Sequence, residues 1–151
     1  MLKDLTALYD RDLKKLMQEL EAYPDEASLW AVQGEISNSG GTLALHLIGN
    51  LSKFIGDDLG GVPFARDRDA EFSRRDVPRQ ELLGGLERTR AVVVQTLSNL
   101  DESRLNEPFS GKVPPNLQGA SVQAFLIHLY GHLNWHLGQV DYHRRITAGK
   151  V

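Results

Sequence analysis

Four stretches of this chain repeat apolar residues at steps of three and four, and prolines and glycines stand between them. In the first, Leu2, Leu5, Leu8, Tyr9, Leu13, Leu16, Met17 and Leu20 alternate with Asp, Arg, Lys and Glu. That spacing predicts an amphipathic helix over Asp4–Ala22. Pro24 ends it, because the residue before a proline disfavours helical backbone. A second helix is expected from Thr42 to about Leu59, with Leu43, Leu47, Leu51, Phe54 and Ile55 on its apolar side and Gly60-Gly61 as its stop. Pro78 suits the first position of a third helix, which runs through Leu82, Leu83, Leu86, Val93 and Leu97 to Leu100. Val92-Val93-Val94 has strand propensity, but the surrounding pattern is helical and too long for a strand. The fourth helix is expected from near Ser121 to about Thr147, with Gly149 beyond it. An all-α four-helix bundle is the most economical fold for these segments.

The connections are unequal. Asp25–Gly41 is long, with room for one helical turn around Glu26 to Trp30, and its Asn38-Ser39-Gly40-Gly41 tail offers turn and cap chemistry. Asp101–Gly119 contains Pro108, Pro114 and Pro115 and reads as a second long crossover. Two such connections exclude a simple up-down-up-down chain of hairpins. Arg66-Asp67-Arg68-Asp69-Ala70-Glu71 alternates in sign without apolar periodicity, so a solvated loop is expected there. With 151 residues and no internal repeat, residues 1–151 are expected to form a single domain.

A formal net charge of −3 gives no electrostatic reason to expect nucleic acid or an anionic membrane as partner. Arg144-Arg145 is a local basic pair near the end of the last helix, where it complements the dipole. No run approaches the roughly 18 apolar residues needed to cross a bilayer, and no secretory segment opens the chain, so the cytoplasm is the expected location. There is no cysteine. Disulfides, thiolate nucleophiles and cysteine-held metals are excluded, and any metal must be held by imidazole, carboxylate or water.

The chemistry-bearing residues concentrate on the fourth helix, where His128, His132 and His136 stand at four-residue steps. A helix turns about 100° per residue, which puts His132 and His136 roughly 40° apart on one face. Phe125, Leu129 and Val140 share that face, so it is the one expected to be buried. Buried imidazoles need partners, since an unpaired buried polar group costs on the order of 1–3 kcal/mol. A metal ion satisfies two at once. The word His132-Leu133-Asn134-Trp135-His136 has Leu133 where a zinc protease carries its glutamate base, which argues against hydrolysis of that type. His46, the only histidine outside the fourth helix, borders the apolar side of the second and is the candidate third ligand. Three imidazoles with an open position would make a catalytic style of site. The competing reading satisfies the same histidines by core hydrogen bonds. His128, roughly 80° from His136, reads as a supporting or structural residue. His143 reads as a dipole partner near the helix end. Asn50 and Gln139, each one turn past a candidate ligand, either orient a ligand's second ring nitrogen or a water, or make ordinary interhelical hydrogen bonds.

Three segments carry a family resemblance. They are Asn38-Ser39-Gly40-Gly41-Thr42-Leu43-Ala44-Leu45-His46-Leu47-Ile48-Gly49-Asn50-Leu51, Arg66-Asp67-Arg68-Asp69-Ala70-Glu71-Phe72, and His132-Leu133-Asn134-Trp135-His136-Leu137-Gly138-Gln139. On these the chain resembles the DinB-like (DinB/YfiT-like) family of metal-binding four-helix bundles, and within it an uncharacterised bacterial subgroup. The resemblance implies a bundle of unusual connectivity, often a homodimer. It also implies a divalent metal held by His46, His132 and His136; three imidazoles suit zinc, nickel, iron or copper. Some members of that family look like transferases that attach a low-molecular-weight thiol to an electrophile.

Two functions follow. One is an enzyme whose three-histidine metal centre activates a thiol or a water, with Glu71 and Asp69 on a loop able to reach the open coordination position. The other is a non-catalytic dimeric assembly module whose core histidines are structural and whose first or third helix offers the interface. Arg66 to Asp69 form either a salt-bridged loop or a polar rim over the metal.

Overall fold

A computed structural model describes residues 1–149, and the described residues are all-helical, with six helices and no strand. We label them α1 (Leu2–Glu21), α2 (Glu26–Trp30), α3 (Gly40–Leu51), α4 (Arg68–Ser73), α5 (Arg79–Asn99) and α6 (Val122–Thr147). The α1 helix packs on α5 and α6, and α3 packs on the same two, so the four long helices close around one apolar core. Tyr9, Leu13, Leu16, Leu47, Leu86 and Phe125 are among its fully buried side chains. The short α2 and α4 both lie against α3.

Start and stop signals act largely as their chemistry dictates. Asp25, Ser39, Asp67 and Ser121 each cap a helix with a side-chain oxygen that accepts a backbone N–H three residues on. Pro78 stands just outside α5 as its cap rather than at the first helical position. The helix of His46 begins at Gly40, two residues before the expected Thr42, because Ser39 rather than Gly41 supplies the cap. Gly41 is there for close approach: a β-carbon on it would stand 2.6 Å from the Trp30 ring.

Beyond Leu51 the same rod continues as a π-helix, Ser52–Leu59, in place of the expected α-helix. The buried residues Leu47, Leu51, Ile55 and Leu59 step by four. That interval falls between the α and π repeats, so the spacing does not distinguish the two windings. The crossover at 101–119 contains two 3-10 turns, Glu102–Asn106 and Pro115–Leu117.

The seam between α1 and α6 is laced by polar contacts. Tyr9 donates its hydroxyl to the Leu126 carbonyl at 2.8 Å, Tyr130 donates to the buried Asp12 at 2.6 Å, and Arg144 pairs with the buried Glu19 at 2.6 Å. Arg144 and Arg145 do sit in the last turn of α6. The apolar faces of α1 and α5, the expected interface of an assembly module, are turned on each other and on the core. Large apolar side chains are exposed instead on α6, where Ile127, Trp135 and Tyr142 are 52%, 70% and 67% exposed.

Because Leu47 is fully buried on α3 next to His46, Leu47→Ala should destabilise the fold by roughly 2–5 kcal/mol in denaturant titration. A loss below roughly 1 kcal/mol would mean that this part of the core is not close-packed.

Candidate metal centre

His46, on α3, is brought against α6 by the apolar residues around it: Leu43, Ala44 and Leu47 are all buried. His132 and His136 project from α6 one turn apart, and Leu129, Leu133 and Val140 near them are buried. The Nε2 atoms of His46 and His132 are 3.2 Å apart, and those of His136 and His132 are 3.0 Å apart. Each of the three residues offers a ligand atom within 4.8 Å of the others. The ring of His46 is nearly perpendicular to both partners, at 80° and 90°. His46 is buried, whereas His132 and His136 are only partly so. The face expected to be wholly buried is therefore open on one side.

What lies behind each ring fixes which nitrogen carries a proton. His46 Nδ1 is 2.9 Å from Glu71 Oε1, and Arg66 clamps the same carboxylate at 2.8 Å through both Nε and Nη2. Burial raises the Glu71 carboxyl, but the hydrogen bonds and charges of Arg66 and His46 outweigh it, and the group lies below its ordinary range. An ionised carboxylate only accepts, so His46 Nδ1 donates, and in the neutral ring Nε2 is the lone pair that faces inward. His136 Nδ1 likewise donates to Gln139 Oε1 at 2.7 Å, which leaves its Nε2 as a lone pair too. Both lone pairs point at His132 Nε2. A single ring proton there cannot serve both. The Nδ1 of His132 is buried and has no partner among the described residues.

Burial, and after it the imidazoles of His136 and His46, pushes His132 down to about 3. Burial also lowers His136, against the opposing pull of its bond to Gln139. Both rings are thus neutral near pH 7, the protonation state a metal ligand needs.

The segment expected as a solvated loop is the largest departure from expectation. Asp67 caps α4 through the Ala70 N–H at 3.0 Å, and α4 carries Glu71 inward until it is only 6% exposed. Gly49 makes the room, since a β-carbon there would lie 2.1 Å from Glu71 Oε2. Glu71 therefore backs the His46 ring instead of reaching an open coordination position, and Asp69 stays exposed. The start signal was present in the sequence as Asp67 followed by Asp69 and Glu71 in the first turn. Gln139 takes the orienting role within its own helix. Asn50 is buried, and its Oδ1 has no partner. His128 is exposed, with its ring stacked at 16° on Phe125.

His143 corrects the expectation of a dipole partner. It is 3% exposed, 2.6 Å from the Tyr23 hydroxyl, and Nε2 is 2.8 Å from the Ala31 carbonyl. That carbonyl only accepts, so Nε2 donates, and in the neutral ring Nδ1 accepts from the Tyr23 hydroxyl, which also lies 3.2 Å from the Val140 carbonyl. It is a core histidine satisfied on both sides.

An all-helical protein with three buried or half-buried imidazoles converging between two long helices is what fold and site define. The chain belongs to the family described as protein of unknown function (DUF1572), which it matches over residues 2–150. No curated protein and no solved structure matches it.

A base held at about 3 when folded and at its ordinary 6.5 when unfolded binds fewer protons in the folded state. Its contribution is complete above pH 6.5 and is lost as the pH falls toward 3. The melting temperature of chelator-treated protein should therefore fall between pH 6.5 and 4 more steeply than that of His132→Gln. Parallel curves would show that His132 is not held neutral by the fold.

Proposed function

We propose that His46, His132 and His136 hold one divalent transition metal ion (zinc, nickel or iron), and that the protein is a metal-dependent enzyme of the cytoplasm. The convergence of the fixed lone pairs of His46 and His136 on the third ring carries this reading. Three imidazole nitrogens converging in a small space, those of His132 and His136 held neutral by burial, form a donor set whose natural occupant is a cation. The donor set fits: imidazoles suit zinc, nickel and iron, and Glu71 and Gln139 supply the outer hydrogen bonds that metal-bound histidines require. The unpaired Nδ1 of His132 is the one ligand nitrogen without such support.

The reaction we assign is transfer of a low-molecular-weight thiol to an electrophile, within a DinB-like single-domain bundle. The four long helices, with one ligand on α3 and an i, i+4 pair on α6, support that affiliation. The bound ion would act as a Lewis acid, lowering the pKa of a thiol or water at the open position. Charge favours a thiol that leaves its proton behind. The Glu71 negative charge is cancelled by Arg66, so three neutral ligands leave the ion's charge to be met by an incoming anion. The S–H proton would pass to solvent water, the sulfur would bond to the electrophilic carbon, and the leaving group would depart with the electron pair of its broken bond. His46 and His136 are held in orientation throughout by Glu71 and Gln139.

Elemental analysis of untagged protein should find about one equivalent of zinc, nickel or iron, and His132→Ala should lose it. Glu71→Gln removes the charge behind His46 and should weaken metal affinity by about 10–100-fold. Stoichiometric metal in His132→Ala would remove that ligand assignment. A chelator-sensitive consumption of small thiols with a chromogenic aryl halide tests the transfer itself.

A second reading, assembly as a homodimer, is favoured by the exposed Trp135 and Tyr142 on α6. Light scattering should then give a dimer mass for the wild type and a monomer for Trp135→Glu. A monomeric wild type removes it.

A further inference from the structure

A cavity of about 500 Å³ opens beside the histidine cluster, with His46 and His132 on its wall. The chain as a whole is acidic, with 20 Asp and Glu against 17 Lys and Arg. The cavity reverses that balance. Arg66, Arg68 and Lys112 line it, and no Asp or Glu does. Arg66 is committed to Glu71. Arg68 lies over the Phe72 ring at 5.0 Å, and Lys112 is exposed on the crossover between α5 and α6. Neither makes an ion pair among the described residues.

The wall beside these cations is aromatic, formed by Phe54 and the exposed ring of His128 with Phe125 buried behind them. Phe54 meets Phe125 edge-on at 5.2 Å, and His128 stacks on Phe125 at 6.0 Å. Val113 and Pro114 close the lip. Asn50, one turn along α3 from His46, contributes the unpartnered Oδ1 of a side chain that is 7% exposed. A buried acceptor without a donor is costly in a protein that binds nothing there.

We infer that this cavity binds a small molecule with a carboxylate and an apolar body, the carboxylate facing Arg68 and Lys112 and the body lying on Phe54 and the exposed ring of His128. A hydroxyl or amide N–H on the same molecule satisfies Asn50. The inference rests on the metal-enzyme reading for the molecule's role as a substrate, and it names the substrate class of that centre as anionic. Carriage of negative charge toward an uncompensated cation is the electrostatic logic of the whole cleft.

The probes are phenylacetate, phenylacetamide and phenethylamine, which share an aromatic ring and differ in charge. Each is titrated into the full chain and followed by amide chemical shifts, in zinc-loaded and in chelator-treated form. Phenylacetate should bind at least tenfold more tightly than phenethylamine in both forms, with phenylacetamide between, and the shifts should centre on Arg68, Lys112, Phe54 and His128. The double variant Arg68→Glu and Lys112→Glu, both exposed, should keep its zinc and melting temperature and lose that preference. Equal affinities, shifts centred elsewhere, a preference confined to the zinc form, or a preference that survives the double variant would each overturn the inference. Failure to bind zinc, with the carboxylate preference intact, would overturn the metal reading alone.

Discussion

Two hydrogen bonds, one buried and one at the surface of the last helix, determine what the centre of this protein can do. The ionised Glu71 takes the Nδ1 proton of His46, and Gln139 takes that of His136. Each bond turns the opposite nitrogen into an inward-facing lone pair, and both converge on His132. In water three imidazoles would relieve such crowding by rotation or by taking up protons. Here packing holds the rings, and burial opposes the positive charge that protonation would bring. The site is poised by its surroundings rather than by its three rings alone.

Much of the remaining structure can be understood as support for that arrangement. Ser39 starts α3, and Gly41 lets it sit down on Trp30, which sets the axial position of His46. Gly49 opens the gap through which Glu71 passes, and Arg66 neutralises the carboxylate once it is inside. A buried carboxylate without Arg66 would face a desolvation penalty that one histidine does not offset. On the other side, α1 anchors α6 through Tyr9, Asp12 and Glu19. That holds His132 and His136 against α3. A second buried histidine shows the contrast: His143 has a partner on each nitrogen and no neighbour to share a cation with.

The long helices were legible because a buried stripe imposes its period on the sequence, and Pro24, Gly60-Gly61 and Ser121 mark ends that hold in the structure. The π winding of Ser52–Leu59 was not, since a step of four between buried residues suits both helix types. The segment Arg66–Glu71 misled for a different reason. Its charges look solvated one by one, and only the partner across the fold shows that Arg66 and Glu71 cancel each other while backing His46. Local charge pattern carries no information about which charge is buried with which.

Sequence by itself determined the helical class, the pairing of His132 with His136 on one helical face, and His46 as the only histidine available from another helix. Those are consequences of helical geometry and of elimination, both of which act along the chain. Tertiary structure decided the rest: which ring nitrogens face inward, which carboxylate stands behind His46, that His143 is satisfied apart from the cluster, and that cations line the neighbouring cavity. Except for the bond of His136 to Gln139 within one helix, these depend on residues distant in sequence meeting in space, and no periodicity within a single segment encodes such a meeting.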